Sequence, residues 1–171
     1  MKTRILTLLG AALLLNAGAL AERPTTDEMA IRLGVAAWSS GRAALSQTAD
    51  IAPLKALYLP DLEATEKLNG AERTARGLAE YAALWQPFFD SLASLSAAPV
   101  GDVKLSLDGD RALTTFSFTP QGTRKDGSPL ACGASITLTW KRQNGLWRIA
   151  REELAPLAAG LSADSARTTQ R

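Results

Sequence analysis

The sequence predicts an α+β fold in which N-terminal helices pack on a curved antiparallel β-meander. Three observations predict it. Apolar residues recur at helical spacing as far as Leu95, then switch to period two after Ala97. Each reversal in the second half falls on a turn signal, Asp108-Gly109, Asp126-Gly127-Ser128 or Asn144-Gly145. The last two runs, between Ala134 and Leu154, alternate apolar and polar residues around Asn144-Gly145, so their pairing can be calculated.

The chain of 171 residues opens on a signal peptide at 1–21. Lys2 and Arg4 form a basic start, Ile5 to Leu15 an apolar run too short for a comfortable membrane span, and Ala19-Leu20-Ala21 a small-x-small cleavage site. Export to the periplasm or the cell exterior is implied, with no stable membrane anchor after cleavage. The signal carries two of the nineteen basic residues and none of the seventeen acidic ones. The mature chain is therefore close to neutral, and nucleic acid is not expected as a partner.

The first helix is read from about Thr26 to Ala44, because Thr25 and Glu28 form a capping box and Ile31, Val35 and Trp38 share a stripe. A second, shorter helix is capped by Thr48 or Asp50, places Leu54, Leu57 and Tyr58 on one face, and ends at Pro60. Asp61 to Thr65 adds a short extended segment, and Asn69-Gly70 a turn. The third helix runs from about Ala71 along Leu78, Tyr81, Trp85, Phe88, Phe89, Leu92 and Leu95, kinked or split at Gln86 by Pro87. Its aromatic residues form the lid for the sheet.

Four strands follow. Val103, Leu105 and Leu107 alternate in the first, and Ala112, Thr114, Phe116 and Phe118 in the second. A two-residue turn at Asn144-Gly145 sets Gln143 opposite Leu146, Trp140 opposite Ile149, Leu138 opposite Arg151 and Ile136 opposite Glu153. A three-residue loop at Gly127, or a bulge at Gly122 or Gly133, then sets Phe118 opposite Ile136 and Phe116 opposite Leu138. The domain spans 26–155, and 156–171 reads as a disordered tail.

Absent residue types narrow the chemistry. With no histidine in the chain, Ser-His-Asp and Cys-His nucleophiles, an imidazole base and the usual zinc sets are excluded. The single cysteine, Cys132, closes no intrachain disulfide. It is either buried or free to pair between chains, and its neighbours Leu130 and Ala134 favour burial. No glycine-rich phosphate loop is present, and no metal or cofactor is expected.

Helices followed by a meander that ends in a Trp-containing hairpin resemble the nuclear transport factor 2-like, or SnoaL-like, superfamily. The resemblance lies in Tyr58-Leu59-Pro60-Asp61, the long helix begun at Gly70, and Thr139-Trp140-Lys141 through Asn144-Gly145 to Trp147-Arg148-Ile149. It covers about Thr26 to Leu154. It implies a cone-shaped α+β barrel with a pocket between helices and sheet, in a superfamily that includes ketosteroid isomerases, polyketide cyclases and members without known activity. Enzymes of the family commonly use a pocket aspartate or a His-Asp pair, and several carry a histidine near the end of the last strand. This chain has Arg151 and Glu153 in that region instead.

The candidate catalytic residues are Asp61, which the resemblance places near the pocket mouth as a general base, and Tyr58 and Tyr81 as hydrogen-bond donors to a developing oxyanion. Each has a structural alternative, a turn aspartate in one case and core tyrosines in the other. Arg151 and Glu153 continue the inward face in the calculated register, where they are solvated beyond the core or paired at a pocket rim to bind a polar group. Trp38, Trp85, Phe88, Phe89, Phe116 and Trp140 line a ligand cavity or fill the cone. Thr115, Ser117, Thr137 and Thr139 form a polar outer face or a homodimer face.

The leading expectation is an exported binding module that holds a small, mostly apolar molecule or a protein partner and performs no chemistry. The alternative is a cofactor-free isomerase, cyclase or dehydratase with Asp61 as base, Tyr58 or Tyr81 as acid, and Arg151 orienting the substrate. A third expectation is a homodimer built on the outer sheet face.

Overall fold

The computed structural model describes residues 25–48, 51–68, 70–96, 99–130 and 133–157. The helices are α1 (Thr26–Thr48), α2 (Ala52–Lys55) and α3 (Gly77–Asp90). The strands are β1 (Tyr58–Glu66), β2 (Arg73–Arg76), β3 (Leu92–Ser96), β4 (Pro99–Asp108), β5 (Arg111–Phe118), β6 (Gln121–Arg124), β7 (Ala134–Gln143) and β8 (Leu146–Pro156). Residues 1–21, read above as a signal peptide, and Asp50, Asn69, Cys132 and the residues from 158 onward lie outside the described residues.

The capping box forms as read. The Thr25 N–H donates to the Glu28 carboxylate at 2.6 Å, and the Glu28 N–H donates to the Thr25 hydroxyl at 3.2 Å. From there α1 continues to Thr48, and its buried stripe of Ile31, Val35 and Trp38 extends to Arg42. Gly34 sits where α1 crosses the sheet. A Cβ there would lie 2.7 Å from the Trp140 ring, so this close approach requires glycine.

The second helix is shorter than expected. It ends at Lys55, and Tyr58 opens a strand rather than completing a helical face. The reason is tertiary: β1 pairs in parallel with β8, Tyr58 against Ile149 and Glu66 against Leu154, and the Ile149 N–H donates to the Leu57 carbonyl at 2.7 Å. A sheet edge that supplies these partners overrides local helix preference. Pro60 lies where the β1–β8 register shifts, a bulge that does not require its missing N–H.

Beyond the turn at Gly70, residues expected to begin the third helix instead form β2, paired antiparallel with β1. The helix starts at Gly77 and runs through Pro87 without splitting. Pro87 and Ala83, whose carbonyl loses its donor, are both exposed, so water can replace that bond. Leu92 and Leu95, read as the end of this helix, belong to β3, which pairs with β6 in a small second sheet.

The main sheet has six strands in the order β2-β1-β8-β7-β5-β4. Four of them, β4, β5, β7 and β8, are the antiparallel meander, and β1 makes the sheet mixed. Between β5 and β7, Phe116 pairs with Ile136 and Phe118 with Ala134. The pairing is offset by two residues from expectation, which leaves every side chain on its intended face. The inner face carries Phe116, Phe118, Ile136, Leu138, Trp140 and Ile149, all buried; Gly34 and Trp38 of α1 lie against it, and α3 packs on β1 and β2. Thr115, Ser117, Thr137 and Thr139 stand on the outer face, half-buried.

Candidate functional site

The site depends on one extra residue in β8. Asn144 and Gly145 take positive φ of 52° and 76°, the two-residue turn that the dipeptide favours. Close to the turn the pairing is as calculated, Gln143 with Leu146 and Trp140 with Ile149. The next pair is Thr139 with Arg151, so Ala150 is a bulge. Beyond it Leu138 meets Glu152 and Ile136 meets Leu154, and the inward face changes from odd to even numbers.

The expected inward placement of Arg151 and Glu153 is thereby corrected. Both lie on the outer face, about half exposed, and pair with each other at 2.7 Å. Glu152, which the sequence reading did not single out, is fully buried instead.

Glu152 is held by four donors. Trp38 Nε1 donates to Oε2 at 2.8 Å, the Tyr58 hydroxyl donates to the same oxygen, and the Tyr81 hydroxyl donates to Oε1 at 3.0 Å. The Arg42 guanidinium forms a short ion pair with Oε1 and donates to the Tyr81 hydroxyl at 2.6 Å. The guanidinium carbon also lies 4.6 Å from the ring centres of both Trp38 and Trp85. Burial and the ion pair combine to make a rigid, dry network at the centre of the cone.

Tyr58 and Tyr81 do come together, hydroxyl to hydroxyl at 2.8 Å, but both are turned to Glu152. Burial first, then the negative charge of Glu152, pushes the Tyr58 phenol well above its ordinary value. Burial raises Tyr81 too, with Glu152 adding to it and Arg42 opposing it. For Arg42, burial by itself disfavours the charge, yet Glu152 and the two tyrosines more than compensate and its pKa is raised.

The chain has two tyrosines, and both are in this network. Because their folded pKa values exceed the ordinary value of about 10, their contribution to stability is complete below that pH and lost as pH rises toward the folded values. An alkaline titration should show no tyrosinate absorbance while the circular dichroism stays native, then appearance of the band together with unfolding. Half-ionisation near pH 10, about the free-tyrosine value, with native circular dichroism intact would contradict the buried network.

Beside the network lies a cavity of about 360 Å³. Its wall includes Arg42, Glu66, Arg73, Trp85, Phe88 and Arg124. Glu66 is buried at the end of the β1 inward series Leu62, Ala64, Glu66, and accepts the Leu68 N–H at 2.9 Å and the Arg73 guanidinium. Arg42 Nε and Trp85 Nε1 are buried donors without a hydrogen-bond partner among the described residues. Such groups are costly to leave unpaired, and here both belong to side chains of the cavity wall.

Other expected site residues fall elsewhere. Asp61 is exposed on β1, so its reading as a pocket base is corrected. Trp85 and Phe88 are on the cavity wall, whereas Trp38, Phe89, Phe116 and Trp140 are core residues outside it. Trp38 packs edge-on to Phe116 and Phe118 at 5.5 and 5.3 Å, and Trp140 donates its N–H to Thr114 at 2.9 Å.

Two signals for the missed residues were present. Ile149 and Leu154 are five apart, an odd spacing that places both inward only if one residue bulges out. Arg42 is the next position on the Ile31, Val35, Trp38 stripe, where a charge calls for a buried partner. Glu66 had no comparable signal, because its burial depends on β8 lying alongside.

Several solved structures share this fold. A proposed aromatic ring hydroxylase from Novosphingobium aromaticivorans is 19% identical, with a TM-score of 0.67, over 80% of this chain and 93% of its own. A proposed dehydratase of the NTF2-like family from Streptomyces avermitilis is 16% identical, with a TM-score of 0.62, over 78% and 98%. A hexachlorocyclohexane dehydrochlorinase is 15% identical, with a TM-score of 0.59, over 78% and 93%. No curated protein sequence matches the chain. Among folds this similar, names of enzymes recur, and the expectation of a binding module without chemistry is overturned. The family model of the SnoaL-like domain matches residues 23–153, and the chain belongs to that family.

Proposed function

We propose that the cavity is the active site of a cofactor-independent lyase or isomerase that removes a proton from carbon. The observation that carries this reading is the composition of one wall: the Glu66 carboxylate with two unpartnered buried donors, Arg42 Nε and Trp85 Nε1. A base and unpartnered donors on side chains of one cavity wall are the parts that enolate chemistry needs. The names dehydrochlorinase and dehydratase among similar folds both describe eliminations, of hydrogen chloride and of water, which support the class.

The roles follow from the geometry. Glu66 takes the proton from a carbon next to a carbonyl, while the Leu68 amide and Arg73 hold its carboxylate in place. The electron pair moves into the carbonyl, whose oxygen accepts from Arg42 Nε and Trp85 Nε1. Its return expels a leaving group from the next carbon, which as hydroxide takes the proton held by Glu66 and departs as water, or Glu66 returns that proton to a more distant carbon and the double bond shifts. Glu152 touches no substrate here; it is a positioning residue that fixes the Arg42 guanidinium.

The test is proton exchange and dehydration with simple cyclic ketones in deuterium oxide, followed by nuclear magnetic resonance. A 3-hydroxycyclohexanone and its unsubstituted parent are suitable probes. The wild-type chain should catalyse exchange at the carbon beside the ketone, and Glu66→Gln should lower the rate by about 100-fold or more. Equal rates for wild type and Glu66→Gln, or no catalysed exchange, would sink the reading.

A further inference from the structure

The cavity wall holds three guanidinium groups and one carboxylate, and the positive excess is localised. Arg42 is balanced by Glu152, and Arg73 by Glu66. Arg124 of β6 is left over. Among the described residues its guanidinium donates to the Ser91 hydroxyl at 3.3 Å and has no carboxylate within ion-pair distance. Asp126, two residues on, is exposed and held by the Ser128 N–H and hydroxyl at 2.9 and 2.6 Å; these bonds lower its pKa first, and the Arg124 charge adds a smaller pull without an ion pair.

The polar groups are also arranged by depth. Arg42 and Trp85 are buried, at 2% and 5% exposure, and Arg124 is half-buried on the solvent side. The same wall carries the apolar side chains of Phe88, Phe118 and Leu154. A ligand that meets every part of this wall is charged at one end, apolar along its body, and carries an acceptor oxygen at the other end. One surplus positive charge matches a monoanion.

We propose that the substrate is a small amphiphilic carboxylate, its anionic group paired with Arg124 and a ketone oxygen at the deep end accepting from Arg42 Nε and Trp85 Nε1. This rests on the reading of the cavity as an active site. It extends that reading from a reaction class to a substrate class, and gives Arg124 a role in specificity rather than in bond breaking. Discrimination should appear as affinity, because a neutral ketone still reaches Glu66 at high concentration but leaves a cavity cation without its partner.

The test compares 4-oxocyclohexanecarboxylate with its methyl ester, which keeps the ring and ketone and loses the charge. Binding is read from quenching of tryptophan fluorescence, with Trp85 in the wall as reporter. The acid should bind at least about 10-fold more tightly than the ester. Arg124→Gln should abolish the preference, and Arg124→Lys, which keeps the charge, should retain most of it. Equal binding of acid and ester, no binding of the acid at millimolar concentration, or an unchanged preference in Arg124→Gln overturns the proposal. An Arg124-dependent preference without any catalysed exchange would remove the catalytic reading and leave the anion site standing. Exchange that depends on Glu66 but proceeds equally well with the ester would do the reverse.

Discussion

Replacement of Glu152 by glutamine is expected to cost about 3 to 5 kcal/mol of folding stability, because it leaves the Arg42 charge buried without its counter-ion. Glu152 is fully buried and the Arg42 side chain is 3% exposed, so water cannot take the carboxylate's place. The amide is nearly the same size but keeps one acceptor oxygen. Its NH₂ group would face a network in which Trp38, Arg42, Tyr58 and Tyr81 all donate. Urea titration and thermal melting check the size of the effect, with a fall of about 10 °C expected for a domain of this length. In an Arg42→Met background the same substitution should cost much less, since no charge is then left unpaired. A loss below about 1 kcal/mol in the wild-type background would mean that Arg42 is compensated by something other than Glu152.

Deletion of Ala150 together with Arg151 is expected to be more damaging still, at about 5 kcal/mol or more, enough to abolish cooperative unfolding in a domain of ordinary stability. With the turn pairing kept, Glu152 then falls opposite Thr139 and Glu153 opposite Leu138, so Glu153 enters the core while Glu152 and Leu154 leave it. A charge enters the apolar face without its present solvent. Arg42 loses its partner, and the parallel match of Glu66 with Leu154 is broken. Deletion of Ala150 alone removes the bulge but keeps Arg151 opposite Thr139 and Glu152 opposite Leu138, and should cost far less. If the double and the single deletion melted alike, alternation along β8 would not be what sets the inward face.

The two variants probe one structural decision from opposite sides. Glu152→Gln leaves the register intact and removes a charge, whereas the double deletion keeps Glu152 in the chain and turns it outward. Both should impair the cavity as well, because the Arg42 Nε proposed as an oxyanion donor is on the guanidinium that Glu152 holds.

Short-range physics determined much of this protein from the sequence alone. The Thr25–Glu28 box starts α1 because both bonds close within three residues, and Asn144-Gly145 sets the hairpin because its positive φ values are local preferences. Period-two alternation gave the four meander strands, and the stripe of α3 gave the aromatic wall in which Trp85 and Phe88 stand. Residue types alone also removed imidazole chemistry. What needed the tertiary structure was every assignment that depends on a distant partner. Tyr58 became a strand residue because β8 offered it backbone bonds, and Glu66 became a cavity residue because the same strand lies beside it. Asp61 stayed in solvent, where no packing neighbour could raise its importance. The inward choice between Arg151 with Glu153 and Glu152 alone turned on one bulge of a single residue, because side chains alternate with period two and one inserted residue exchanges the faces.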